Sequence, residues 1–226
     1  MNYLIVVAHP DDEVLGAGAT MYVKSHKGDN VDVCIMVGGV EVRHLRPDDN
    51  ALESDIAGSA GLLGVRSLVK GTFPNIQLNN VPHLKLVQFI EQSILQTQPD
   101  VVITHHPCDT NNDHLHTSLA CQAAIRLFQR RTDVKPVKEL WYMEVPSATE
   151  WSVNQSMLPF TPNTFVEAGE EGVEKKIEAL SQYRDVMRPY PHPRSPETLK
   201  GLAAYRGSQA GLNYAEAFQC VFRREV

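Results

Sequence analysis

A histidine and three carboxylates stand together near the start of the chain, in the run AHPDDE of residues 8–13. Carboxylates this close repel one another unless a cation or a set of hydrogen-bond donors is present. Imidazole nitrogens and carboxylate oxygens are the ligands of catalytic zinc and iron(II) sites that keep one coordination position open. The run therefore predicts a metal site.

A second group of polar side chains follows the apolar run Val101–Thr104 and comprises His105, His106, Asp109, Asp113, His114 and His116. The proline after His9 stiffens the first run, so that His9 and Asp12 can face one way while Asp11 points to a neighbouring position. We expect His9, Asp12 and His114 to bind the metal. Asp11 is then the expected general base toward a metal-bound water.

Strands must bring these two clusters to one place. The segment Tyr3–Ala8 is apolar throughout, which is typical of a strand buried on both faces of a parallel sheet. Strand-like and helix-like segments alternate along the chain, which predicts a single Rossmann-like α/β domain, with a mostly parallel sheet and helices on both faces. In such sheets, sites form beyond the carboxyl ends of the strands.

Hydrophobic periodicity gives the remaining elements, and we expect one domain over residues 1–226 without internal repeats or linkers. The predicted strands cover residues 31–37, 67–69, 101–104, 140–143 and 217–223. The predicted helices cover about residues 14–27, 52–63, 82–95, 115–127, 173–187 and 196–206. Residues 146–169 lack a clear period and are predicted to be irregular.

Net charge, hydrophobic runs and cysteine spacing make several classes of protein improbable for this sequence. The net charge of −6 and the pI of about 5.8 argue against nucleic acid or an anionic membrane surface as the main partner. No run approaches the ~18 apolar residues of a membrane span, and no signal peptide precedes the first strand, so we expect a cytoplasmic protein. The four cysteines are scattered, and this spacing is neither a disulfide framework nor a zinc ribbon.

Both clusters resemble signatures of a known family. Residues Ala8–Glu13, followed by Gly16 and Gly18, resemble the first signature of the LmbE-like (PIG-L) zinc-dependent N-deacetylases. Residues Asp109–His114 resemble the second signature, in which an Asp-His pair provides the last ligand. The segment Gly211–Phe218 is similar to the C-terminal tail of bacterial members.

The resemblance implies removal of the N-acetyl group from a small-molecule acetamido sugar of the N-acetylglucosamine type, and it also implies a homo-oligomer. It assigns the zinc ligands to His9, Asp12 and His114 and the general base to Asp11. Asp113 is then expected to orient a neighbouring histidine. Iron(II) is the alternative cofactor, because the same ligand set suits it.

Two positions depart from the family pattern. Several of these deacetylases carry a histidine, assigned to transition-state stabilisation, where this chain has Asn111, and some carry a tyrosine where it has Asp109. His192 and His106 are the candidates for the vacant oxyanion-stabilising role. The departures leave two other functions open: a metal-dependent hydrolase of esters or phosphates, and a metal-binding homologue without turnover.

Two arginines complete the candidate site residues. Arg46 follows the second predicted strand and can bind sugar hydroxyls or a phosphate, with a solvated loop as the alternative. Arg194 lies with His192 in the proline-rich segment that ends at Ser195, and we expect this stiffened segment to reach the site.

Overall fold

In a computed structural model, which describes residues 1–39, 48–153 and 158–225, seven strands form one sheet and six α-helices cover it. The strands are β1 (Asn2–Val7), β2 (Asn30–Val37), β3 (Ser67–Phe73), β4 (Val101–His105), β5 (Glu139–Met143), β6 (Thr164–Glu167) and β7 (Ala215–Arg223). The helices are α1 (Asp12–His26), α2 (Asp49–Leu62), α3 (His83–Thr97), α4 (Asn112–Ala124), α5 (Gly169–Gln182) and α6 (Pro196–Ser208). The predicted fold class is confirmed.

The strand order brings the two clusters together. The order across the sheet is β3-β2-β1-β4-β5-β7-β6, in which β1 to β5 pair in parallel and β7 pairs antiparallel with both β5 and β6. The order reverses between β1 and β4, so the loops that follow these two strands diverge toward opposite faces. A crevice forms between such loops.

The central strand β1 is buried on both faces, which explains its uniformly apolar sequence. Tyr3, Ile5 and Val7 belong to the core cluster that includes residues of α1, α2 and α5. Leu4 and Val6 belong to a second cluster with residues of α3 and α4. Alternate side chains thus enter opposite cores, because successive residues of a strand point to opposite faces.

Helix α1 lies very close to the sheet. A Cβ atom on Gly16 would overlap the side chain of Met143, so glycine allows the close approach of the helix to β5. Ala17 has non-helical dihedral angles, and the carboxylate of Glu216 accepts the freed backbone N–H groups of Ala19 and Thr20. The family-like tail therefore holds a kink in the helix that begins at the site.

Several elements differ from the predicted ones. A four-residue strand, β6, lies within the segment predicted to be irregular, where it pairs with β7. Helix α5 ends at Gln182 rather than continuing to residue 187, and α4 ends at Ala124 before a short 3₁₀ turn. Helix α5 stops where Tyr183 turns to donate to Glu13, a tertiary contact that periodicity cannot reveal. Within the described ranges, no helix is both long and apolar enough to span a membrane.

Candidate metal centre

The turn after β1 orients the first cluster. Asp11 has a φ of 102°, a left-handed conformation that is uncommon for residues other than glycine. Helix α1 begins at the next residue, and the backbone N–H of His9 donates to the Asp12 carboxylate at 2.9 Å. This turn separates the neighbouring carboxylates, which matches the predicted difference between Asp11 and Asp12.

The three predicted ligands come together. Asp12 Oδ2 lies 3.3 Å from His9 Nδ1 and 3.1 Å from His114 Nε2. One ligand atom from each residue lies within 4.8 Å of the others, and all three residues are buried. Two imidazoles and one carboxylate with this spacing form a donor set that suits zinc or iron(II).

On each of the two histidines, a second carboxylate contacts the ring nitrogen that does not face Asp12. Behind His9, Asp113 Oδ2 lies 3.1 Å from Nε2. Asp113 in turn accepts the backbone N–H groups of Ile76 at 2.7 Å and Leu78 at 3.0 Å. A carboxylate at the distal nitrogen fixes the orientation and tautomer of a ligating histidine. Asp113 is thus placed for its predicted orienting role.

Asp109, to which the sequence pattern assigns no role, contacts the distal nitrogen of His114. Asp109 Oδ2 lies 3.0 Å from His114 Nδ1, and it accepts the Thr149 hydroxyl at 3.0 Å. In the sequence, Asp109 belongs to the second polar cluster and departs from the family's tyrosine, and neither feature predicts a contact with His114. Its spacing of five residues before His114, at a turn that precedes a helix, is the signal that could have identified it.

Asn111, the second departure, has a structural role. Its side-chain oxygen accepts the backbone N–H of Asp113 at 2.9 Å, as the N-cap of α4. N-capping by asparagine stabilises a helix end by satisfying a free N–H group. Asn111 therefore supports the helix that carries His114, and its side chain also lines the cleft described below.

We expect Asp109→Asn to weaken zinc affinity by about 10- to 100-fold, the usual cost of losing a carboxylate behind a ligating histidine. Competition with a chromophoric chelator measures this change. The matched control is Asp133→Asn, since Asp133 pairs with Arg131 on the surface and should leave zinc affinity unaltered. Equal zinc affinity in the two variants would contradict the role of Asp109.

The electrostatics of the metal-free centre fit a cation site. Burial lowers the pKa of His114, but the Asp12 and Asp109 carboxylates outweigh burial and raise this pKa to about 10. Burial raises the pKa of Asp12, yet the histidines hold it well below its ordinary value. Both nitrogens of His114 are buried, and neither contact with these carboxylates has hydrogen-bond geometry. The residues therefore fit a divalent cation, which would replace the proton of His114.

Proton release on zinc binding is expected to follow. With a pKa of about 10 in the metal-free protein, His114 carries a proton at pH 7.5 and must lose it to bind a metal ion. Burial lowers the pKa of His9, but its contacts with Asp113 and Asp12 outweigh burial and raise that pKa, so the second histidine ligand can also release a proton. Apparent zinc affinity should therefore rise by at least about tenfold per pH unit between pH 6.5 and 9. Calorimetry in buffers of different ionisation enthalpy should detect at least about one proton released. A pH-independent affinity without proton release would contradict this protonation state.

His105 is held neutral beside the centre. Its Nε2 accepts the backbone N–H of Ala8 at 2.9 Å, and its ring stacks on His114 at a centroid distance of 3.8 Å. Burial and the neighbouring His114 lower the pKa of His105 to about 3. His105 also belongs to a second set of potential donors with Asp109 and His114, in which the backbone N–H of Ala8 occupies Nε2 and only the buried Nδ1 could bind a cation. Its contacts thus join β4 to β1 and pack against a ligand.

Glu13, the third acid of the first cluster, faces away from the cleft. The Tyr183 hydroxyl donates to one carboxylate oxygen, and the Asp11 backbone N–H donates to the other at 3.1 Å. Burial raises the pKa of Glu13 to about 8, despite the hydrogen bond from Tyr183. Glu13 therefore supports the backbone that carries Asp11.

A cleft of about 710 Å³ opens over the centre. Its lining residues include the three ligands and Asp11, with Trp151 and Ser147 from the segment after β5. Arg194 Nη1 lies 3.4 Å from Asp11 Oδ2, and Arg194 Nε donates to the Ser147 hydroxyl at 2.7 Å. A substrate in the cleft would thus meet the expected base, the metal position and a guanidinium group together.

The other predicted site residues differ in their positions. Arg194 lines the cleft as expected, whereas neither His192 nor His106 is among the lining side chains. The His192 ring contacts Trp151, and the His106 ring packs against Tyr142 and Phe160. This placement does not support an oxyanion role for either histidine. Arg46 lies outside the described residues.

Part of the chain matches the model of a known protein family. The model of the PIG-L family, described as GlcNAc-PI de-N-acetylase, matches residues 4–125, a span that contains both clusters. No match was found among curated protein sequences.

Solved structures share the fold over the whole chain. The conserved protein TT1542 from Thermus thermophilus has a TM-score of 0.80 and 24% identity, covering 100% of this chain and 97% of its own. The N,N′-diacetylchitobiose deacetylase from Pyrococcus horikoshii has a TM-score of 0.71 and 20% identity, covering 97% and 83%. The 4-carboxy-2-hydroxymuconate hydratase GalB from Pseudomonas putida has a TM-score of 0.77 and 20% identity, covering 100% and 98%. Since a hydratase shares this fold, the fold alone does not assign a reaction.

Proposed function

Because the chain belongs to the PIG-L family of GlcNAc-PI de-N-acetylases, we propose that it is a metal-dependent amidohydrolase that removes the N-acetyl group from an acetamido sugar. The observation that carries this proposal is the position of Asp11. Its carboxylate lines the same cleft as His9, Asp12 and His114, the group that can hold a metal ion. A base beside a Lewis-acid site is the arrangement that amide hydrolysis by water requires.

Metal binding and proton transfer are assigned to different residues of the site. His9, Asp12 and His114 would hold a zinc or iron(II) ion, which would supply a Lewis acid and, in the case of zinc, would lower the pKa of a bound water to ~7. Asp11 accepts a proton from the attacking water as the carbon–oxygen bond forms. It then returns this proton to the amide nitrogen as the carbon–nitrogen bond breaks. The products are acetate and a free amine.

Arg194 is the proposed partner of the developing oxyanion. Its guanidinium group lines the cleft near Asp11, and the hydrogen bond to Ser147 fixes its direction. A positively charged donor that is already oriented stabilises developing negative charge without reorganisation during the reaction. It therefore replaces His192 and His106 in this proposal, since neither lines the cleft.

A substrate panel tests the proposed reaction. We expect the zinc-loaded protein to release acetate from N-acetylglucosamine or its conjugates, and treatment with a chelator should stop this release. The panel should also contain an acetate ester and a phosphate monoester. Phosphate release without acetate from any acetamide would overturn the deacetylase assignment in favour of a phosphoesterase.

Zinc as the native ion, a homo-oligomeric state, a cytoplasmic location and a single domain over residues 1–226 stay predictions beside this proposal. Metal analysis of the purified protein and its mass in solution would test the first two.

A further inference from the structure

Three arginines of the cleft come from one segment of the chain. Arg184, Arg188 and Arg194 all line the cleft, and all lie between α5 and the start of α6. The chain as a whole carries a net charge of −6, so a concentration of guanidinium groups here runs against the overall charge. A cleft with walls of one sign attracts ligands of the opposite sign.

The side chains that line the metal-loaded cleft carry a positive charge on balance. Among the described lining residues, the carboxylates are Asp11, Asp12 and Asp185, and the three arginines match them in number. A divalent cation bound to neutral His9 and His114 adds two positive charges to this lining, and the ion's own charge has to be included in such a comparison. The carboxylates of Asp113, Asp109 and Asp55 contact His9, His114 and Arg184 from outside the lining and offset the charge at those three residues. The positive charge that attracts an anion is therefore local to the lining around Arg188.

Arg184 and Arg188 have guanidinium N–H groups that are not paired with two oxygens of one carboxylate among the described residues. Elsewhere, Arg66 and Arg206 each place two nitrogens on one carboxylate, of Asp32 and of Glu144. The Arg184 Nε lies 3.3 Å from Asp55 Oδ1, a longer contact than those of Arg66 and Arg206. In the described part of the chain, no carboxylate lies within ion-pair distance of Arg188. Paired guanidinium nitrogens are thus available in the cleft, and they match the two oxygens of a carboxylate or phosphate.

Backbone contacts hold the arginine segment in place. The backbone N–H of Arg184 donates to the buried carboxylate of Asp55 at 3.2 Å. The backbone N–H of Arg188 donates to the carbonyl of Arg194 at 3.3 Å, which closes the segment into a loop. Anchoring of this kind reduces the entropy lost when a ligand binds. The arginines are therefore presented on an ordered frame.

We propose that the substrate of this protein carries an anionic group, a carboxylate or a phosphate, which Arg188 binds together with Arg184. Arg194 lies nearer the base, so the anionic group occupies the part of the cleft beyond the scissile acetamide. The statement about the substrate rests on the proposed deacetylation, whereas the anion site can be tested without it.

Matched acetamido sugars test the proposal. The neutral substrate is N-acetylglucosamine, the phosphate form is N-acetylglucosamine 6-phosphate or 1-phosphate, and the carboxylate form is N-acetylmuramate. The zinc-loaded wild-type protein should show a kcat/KM at least about tenfold higher for one anionic form than for the neutral sugar, as expected for a charge-assisted contact. Comparison of the phosphate and carboxylate forms identifies the group.

The variant Arg188→Gln should lower this anionic-to-neutral ratio about tenfold or more, through KM. Arg130→Gln is the matched control, because Arg130 pairs with Glu91 outside the cleft and should leave the ratio unchanged. Equal kcat/KM values for neutral and anionic sugars would overturn the proposal. An equal loss on both classes of sugar in Arg188→Gln would do the same.

A binding measurement separates this proposal from the proposed function. Inorganic phosphate is titrated into the zinc-loaded wild-type protein and into zinc-loaded Arg188→Gln. Any direct binding of phosphate to zinc is the same in both proteins, so a difference in affinity reports on Arg188. We expect about tenfold weaker phosphate binding by the variant. If no sugar releases acetate but this difference appears, the anion site stands and the deacetylase assignment fails. If wild type and variant bind phosphate equally, the anion site is refuted.

Discussion

Replacement of Asp11 by asparagine is expected to lower kcat for acetate release by about 10²- to 10⁴-fold, the usual contribution of a positioned general base. The amide of asparagine cannot accept the proton of the attacking water at neutral pH. Asparagine is the preferred substitution because residue 11 has a φ of 102°, which asparagine tolerates better than alanine does. Steady-state kinetics with the best acetamide of the panel measures the loss.

Zinc content distinguishes a lost base from a damaged metal centre. Asp11 is not among the three residues that form the donor set, so Asp11→Asn should retain about one zinc ion per chain. Asp133→Asn, which removes an exposed carboxylate, should keep full activity. A zinc-loaded Asp11→Asn protein with wild-type kcat would show that another group is the base.

The second large effect is expected at His114. The substitution His114→Gln should abolish tight zinc binding and lower kcat/KM by more than about 10³-fold, because a Lewis acid contributes several kcal/mol to such reactions. His114 contacts Asp12 and Asp109, so its removal also takes one histidine contact from each of these two buried carboxylates. Bound zinc per chain and residual activity are the quantities to measure.

A second histidine on the same helix provides the control for this experiment. His116 lies two residues further along α4 and is only partly buried, so His116→Gln should bind zinc and turn over like the wild type. Thermal unfolding of both variants separates a folding defect from a metal defect. One tightly bound zinc ion in folded His114→Gln would refute the ligand assignment.

The fold does not distinguish between possible reactions, so the functional assignment depends on the side chains of the site. A chitobiose deacetylase and a muconate hydratase share the fold at similar TM-scores. What favours deacetylation in this chain is the match of residues 4–125 to the family, together with the base and donor set in one cleft. The proposed anion site at Arg184 and Arg188 then favours acetamides that carry a negative charge.

Much of the metal centre could be predicted from the sequence, because its evidence is local. An apolar run that ends in histidine and carboxylates indicates both a buried strand and a site at its end. The same cluster type after Val101–Thr104 indicates a second strand that must reach the same edge. Parallel strands in one sheet make that convergence a geometric consequence.

Tertiary structure alone decided the contacts between distant segments. Periodicity along a few residues carries no record of them, which is why the ends of α4 and α5 and the strand β6 were not predicted. Hydrophobic periodicity also could not predict that Arg188 lines the cleft and that His192 does not, although the two residues are only four positions apart.

Asp109 illustrates the same division at the level of one side chain. Its type and position were known from the sequence, but its role depends on where Thr149 and His114 lie around it. The sequence by itself determined which groups could bind a metal and which strands would deliver them. Only the folded chain decided which carboxylate supports which histidine, because such polar contacts depend on distances of about 3 Å between atoms that the sequence leaves far apart.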